Sequence, residues 1–342
     1  MTIDPYSLVG VPASPYSRKL RAVFRYRRIP FHWIIQGSPE AAGLPTPKVS
    51  LIPQLMIKAE NGELVARTDT TPIIRELEEL VQNDRSVIPV DPALAFFDAL
   101  IEDYGDEWLT KAMFHYRWAF QDDIKKATLV LPRLSGMQLP NETLEKAGEV
   151  FSSRQIGRLG VVGSNDVTGP LIEESYLRLL TILEEHLETN RFVMGQRPGA
   201  SDFGLFGQLT QLAQFDPTCM AVCLQTAPRV YAYTDIVEDL SGLEPKDDQW
   251  FARDELPSTF HDLLNEIGRV HAPFLLGNHK ALQEGLKQVD CLVDGRAWTQ
   301  KPFPYQGKCL EWLRRDYRAL EAGDREFVDK TLVGTGIEIL FD

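Results

Sequence analysis

The run Ser14-Pro15-Tyr16-Ser17-Arg18-Lys19 lies between an apolar stretch, Tyr6 to Val11, and an amphipathic one, Tyr16 to Arg27. The first stretch reads as a short strand stopped by Pro12. The second reads as a helix, with Leu20, Val23 and Phe24 recurring at helical spacing and Arg and Lys on the other face. Pro15 fits the first helical turn, where the missing N–H costs nothing. The decisive run is therefore a strand-to-helix turn, with a serine where a helix cap belongs.

Working outward, Ile29-Pro30 breaks that helix and Phe31 to Ile35 is rich in β-branched and aromatic residues, as a strand is. The stretch from Gly37 to Pro47 is rich in Pro and Gly and reads as a loop or one short helix. Ile52-Pro53-Gln54-Leu55-Met56-Ile57 is a strand led by a proline; Asn61-Gly62 is a hairpin turn, and Leu64 to Ala66 the return strand. Thr68-Asp69-Thr70-Thr71-Pro72 then opens a helix carrying Ile73, Ile74, Leu77 and Leu80.

A polar linker, Asn83 to Asp91, separates this α/β unit from long helical patterns over Ala93 to Trp118, Leu171 to Leu187, Ala200 to Gln214 and Pro228 to Leu240. After Ser241 the character changes again. Pro257 to His271 is helical, Gln288 to Trp298 reads as a hairpin around Asp294-Gly295, and Pro304 to Leu320 is another helix. The expected division is residues 1–85, an α/β ligand-binding domain; 92–240, an all-α domain; and 241–342, an extension of helices plus a hairpin forming a small α/β appendage.

With 36 Lys and Arg against 49 Asp and Glu, the formal charge of −13 repels phosphate backbones and anionic membranes. The densest basic cluster, Arg25, Arg27 and Arg28, reads as a solvated helix face. No window has the ~18 apolar residues of a membrane span, and Met1 to Asp4 does not open a secretory signal. The expected compartment is the cytosol, which suits reduced thiols at Cys219, Cys223, Cys291 and Cys309. Cys219 and Cys223 stand at i, i+4, but no further His or Cys joins them at ligand spacing, so no metal site is expected.

Three segments carry chemistry. At the Ser14 turn, a helix N-terminus and a hydroxyl can stabilise a thiolate; lowering a thiol from ~8.5 by about two units corresponds to about 2.7 kcal/mol. Ser14 as a simple helix cap is the competing reading. At Ile52-Pro53, a cis bond would leave the Ile52 backbone free to pair with an extended peptide; a trans proline at a strand start is the alternative. At Asp69-Thr70, a carboxylate takes an ammonium while a hydroxyl and helix amides take a carboxylate, or both residues merely cap.

In this order the three segments resemble the glutathione S-transferase superfamily. Ser14 to Arg21 with Ile29-Pro30-Phe31 resembles its active-site turn, Ile52-Pro53-Gln54-Leu55 its cis-proline segment, and Asp69-Thr70-Thr71-Pro72-Ile73-Ile74 the motif that holds the γ-glutamyl end of glutathione. Gly195-Gln196-Arg197-Pro198-Gly199-Ala200-Ser201-Asp202-Phe203 is similar to the segment opening the central helix of the second domain. The resemblance spans roughly residues 5 to 240 and implies a thioredoxin-like N-terminal domain followed by an all-α helical bundle.

The resemblance further implies glutathione as co-substrate, with Ser14 catalytic and a glutathione-binding set of Ser14, Tyr16, Ser17, Lys48, Ile52, Pro53, Asp69 and Thr70. Partners would be glutathione and a small, hydrophobic electrophile held against Phe114, Tyr116 or Trp118, in a homodimer, without nucleic acid or membrane. Two departures stand out: Lys48 is displaced from the cis-proline segment, and Gly199 replaces the usual capping serine, a change costing a few tenths of a kcal/mol. With no cysteine before Cys219, disulfide exchange at the turn is not expected. The alternatives are a non-catalytic interaction module on the same fold and a glutathione-dependent lyase or isomerase.

Overall fold

In the computed structural model, which describes residues 5–342, strand β1 (Tyr6–Gly10) pairs in parallel with β2 (Phe31–Ile35). Met1 to Asp4, read above for a leader, lie outside the described residues. A parallel pair needs a crossover, and helix α1 (Pro15–Tyr26) supplies it. Strands β3 (Gln54–Lys58) and β4 (Leu64–Thr68) complete the sheet in the order β2-β1-β3-β4, both joined antiparallel. Helix α2 (Thr70–Leu80) follows directly and turns Ile73, Ile74 and Leu77 into the core. This is a thioredoxin-like domain.

The helical part begins with α3 (Pro92–Asp103), where Asp91 accepts hydrogen bonds from the Ala93 and Leu94 amides. The single helix expected over Ala93 to Trp118 is interrupted: a π-turn at Tyr104–Trp108 separates α3 from α4 (Leu109–Ala119). Such a bulge carries no composition signal, and it swings Asp106 and Glu107 inward, where both are buried. Next come α5 (Gln121–Gly136), α6 (Asn141–Ile156), α7 (Gly169–His186), α8 (Ala200–Leu212), α9 (Pro217–Thr226) and α10 (Pro228–Val237). Every residue of α8 is buried, and it packs against α1, α3, α4 and α10. It is the axis of the molecule.

The last hundred residues form α11 (Ser258–Gln283), a hairpin of β5 (Val289–Val293) and β6 (Arg296–Gln300), then α12 (Pro304–Ala319) and α13 (Ala322–Leu332). One apolar cluster runs from Leu8 to Leu340 and includes Phe260, Trp298, Leu310 and Leu332. Ring contacts sew it together: Phe97 meets Phe260 at 5.7 Å and Trp108 meets Trp298 at 5.3 Å. The appendage expected from sequence is packed into the same core as the helices before it.

The basic face of α1 departs from expectation too. Arg18, Arg21 and Arg25 all reach the Glu238 carboxylate, at 2.7, 2.5 and 2.6 Å. Arg27 is 1% exposed and donates to the Val81 carbonyl, while Arg25 is half-buried and Arg28 exposed, so the cluster is only partly a solvated face. Spacing reveals which side of a helix is polar; it does not reveal that a neighbouring element will cover that side.

Candidate functional site

Register brings the three chemical segments to one end of the sheet. Val9 pairs with Gln54, and Gln54 with Thr68, so these three residues form a row across β1, β3 and β4. Just beyond the row lie the Ser14 turn, Ile52-Pro53 and Asp69. Adjacent strands are about 4.8 Å apart, so the row spans about 10 Å, the length of an extended tripeptide.

Ser14 caps α1: its Oγ accepts from the Ser17 amide at 3.2 Å, which leaves the hydroxyl proton available to another acceptor. Ser17 is wholly buried, and its Oγ accepts from the Val11 amide at 3.4 Å, so it braces the turn. The Tyr16 hydroxyl donates to the Asp106 carbonyl in the π-turn at 2.8 Å. Lys48 is exposed in the loop before β3. The Ile52-Pro53 bond is cis, with Pro53 buried and Ile52 just outside the ladder.

Asp69 has φ 81°, ψ 115°, a region that non-glycine residues rarely adopt and that costs of order 1–3 kcal/mol unless its surroundings enforce it. Such outliers concentrate at ligand sites. Thr70, buried at the first position of α2, follows. The Asp69 carboxylate is engaged within the chain: Tyr305 of α12 donates its hydroxyl to Oδ2 at 2.8 Å. Burial raises the Asp69 pKa, opposed by that hydrogen bond and by the charges of Lys19 and Lys308.

Behind the turn is a buried charge network. Lys19, fully enclosed, reaches Glu102 at 2.7 Å and Asp106 at 2.5 Å, while Arg75 holds the other Glu102 oxygen at 2.7 Å. The Thr71 hydroxyl donates to Glu102 at 3.2 Å. Burial works against the charged forms; Arg75 and Lys19 nonetheless hold Glu102 down at about 2, whereas burial leaves Asp106 raised to about 6. Beside it, burial pushes Glu107 to about 8, helped by the charges of Asp103 and Asp106, and lowers Lys111 to about 7. A cavity of about 330 Å³, walled in part by Thr71, Arg75, Asp106, Tyr305 and Trp312, lies over this network. Larger open grooves on α6 and between α7 and α11 lie elsewhere, away from the three segments.

Of the aromatics expected to line an electrophile pocket, Tyr116 and Trp118 are core residues, at 3% and 2% exposure, and Phe114 is half-buried. The four cysteines are free thiols. Among the described residues, no group of His, Cys, Asp and Glu has a metal-holding arrangement, and no helix is long and apolar enough to cross a membrane. Sequence reasoning missed Tyr305, Lys19, Glu102 and Asp106. Lys19 sits in the decisive run, but its partners come from another helix.

The fold and this row of segments define a thioredoxin-like domain joined to a helical bundle. Residues 8–85 match the family model of the glutathione S-transferase N-terminal domain. Among solved structures it is similar to FzlA from C. crescentus, at 19% identity over 67% of this chain and 86% of that one, with a TM-score of 0.40. It is also similar to a glutathione transferase from Burkholderia graminis with two glutathione molecules bound per subunit, at 16% identity over 76% of this chain and 87% of that one, TM-score 0.40. Poplar glutathione transferase F1 aligns at 14% identity over 70% of this chain and 99% of that one, TM-score 0.40. No curated protein matches the chain.

Proposed function

We propose that the chain binds glutathione along the row from Ser14 to Asp69 and activates its thiol for attack on a small electrophile. One observation carries the reading: the register that puts Ser14, Ile52 and Asp69 beyond neighbouring strand ends, across a tripeptide's length. In this reading the free Ser14 proton and the α1 amides stabilise the thiolate, the Ile52 backbone pairs with the cysteinyl unit, and Asp69 with Thr70 holds the γ-glutamyl end. Tyr16 and Ser17 act by bracing the turn. Lys48 would meet the ligand only if the loop before β3 folded over it. We place the working compartment in the cytosol, and the ligand-binding domain within residues 1–85.

A second reading, an interaction module that keeps the fold and has given up the ligand, is favoured by the Tyr305 hydroxyl on Asp69. Packing of α12 and α13 on α3 favours it as well, since that helix is where a homodimer of this family is expected to form. Calorimetric titration with glutathione separates the two. The parent is expected to bind, Asp69→Ala to lose binding, and Ser14→Ala to bind while the bound thiol keeps its solution pKa, read from thiolate ultraviolet absorbance. No binding heat at millimolar glutathione would leave the interaction module standing alone.

A further inference from the structure

We propose that Tyr305 is a built-in occupant of the end-group subsite: an ammonium that takes the Oδ2 side of the Asp69 carboxylate displaces the Tyr305 hydroxyl, so α12 sets the affinity for amino-terminated ligands. The inference rests on the glutathione reading above and concerns the control of that same site. The contact is a hydrogen bond of 2.8 Å between residues 236 positions apart. Both ends are held. Asp69 heads α2, its carbonyl accepting from the Ile73 amide at 3.3 Å.

Tyr305 is set by the clamped start of α12. Fully buried Asn278 of α11 both donates to the Phe303 carbonyl at 3.0 Å and accepts from its amide at 2.8 Å. Gln306 donates to the Glu107 carbonyl, and the phenol ring meets Trp312 edge-on at 6.2 Å. The phenol is thus an intramolecular competitor already in place, with its ordering completed when the chain folds. Burial raises the Tyr305 pKa further above the ordinary tyrosine range, so the hydroxyl competes as a neutral donor. An ammonium offers Asp69 a charge-assisted bond, the stronger of the two kinds, and can therefore win the exchange at reduced affinity. A ligand without the amino group leaves the contact intact.

Tyr305→Phe removes the hydroxyl and keeps the ring. Calorimetry is expected to give about tenfold tighter binding of glutathione, about 1.4 kcal/mol, with binding of the analogue lacking the γ-glutamyl amino group unchanged. Unchanged or weaker glutathione binding by the variant overturns this inference alone. Absence of binding by parent and variant overturns it together with the glutathione reading. A second measurement needs no variant: amide hydrogen exchange over residues 305–310 of the parent should quicken with saturating glutathione, and slower exchange there overturns the displacement.

Discussion

Helix α8 begins with two amides held by a side chain from another helix: Asp98 of α3 accepts from Ala200 at 3.1 Å and from Ser201 at 3.0 Å. Asp202 reaches back to the Gly199 amide at 2.8 Å, so the start is fully satisfied without a capping side chain. A Cβ on Gly199 would stand 2.2 Å from Asp98 Oδ1. Local capping rules favour serine here by a few tenths of a kcal/mol. The contact reverses that sign: Gly199→Ser is expected to lose about 1–3 kcal/mol in urea unfolding, by overpacking and by unseating Asp98. A serine variant as stable as the parent would show that Asp98 yields without cost. The legible part of this position was the helix start itself, marked by Asp202. The illegible part was the cap, because the carboxylate that accepts from its amides lies a hundred residues upstream.

Among elements, α1 is joined to α3 and the π-turn through one ammonium, and α2 meets the same Glu102 through Arg75 and Thr71. Replacing Lys19 by Met keeps the volume and leaves Glu102 and Asp106 buried without their shared cation; breaking such a pair typically costs about 3–5 kcal/mol. Lys19→Met should therefore lower the urea midpoint by far more than an apolar substitution at a buried site would suggest, and a loss under about 1 kcal/mol would show that Arg75 and Thr71 suffice. The strands, α1, α2, the hairpin of β5 and β6 and α12 were readable, since each depends on neighbours in sequence: Ser14 with Pro15, Asn61 with Gly62, Asp294 with Gly295. What α1 presents to the rest of the molecule was not. Amphipathic spacing marks Lys19 as polar and carries no trace of carboxylates eighty residues on. The π-turn that delivers Asp106 was equally silent: Gly105 within it marks a weak point in a helix and says nothing of an extra residue in the turn.

At the scale of the whole molecule, carboxyls raised by burial give stability a slope with pH. Glu107, at about 8 in the fold against an ordinary value of 4.5, holds its proton where the unfolded chain has lost it. The native state therefore binds more protons between about 4.5 and 8, and stability falls as pH rises through that window. Glu107→Gln removes its share of the slope: little change is expected at pH 5 and a gain on the order of 2–4 kcal/mol at pH 7.5, read from thermal unfolding at both values. Lys111, lowered to about 7, acts in the opposite sense from there upward, so pH 7.5 lies at the foot of its window. A gain that is equal at the two pH values would mean that Glu107 is ionised throughout.

The reach from Asp69 to Tyr305 also has a meaning in time. Chains leave the ribosome at ~5–20 residues per second, so the 236 positions between these partners correspond to roughly 10–50 s of synthesis. Over that interval the sheet and α2 can assemble while α12 has yet to be made. The carboxylate at 69 is thus without its phenol partner in every newborn copy until residue 305 has been made.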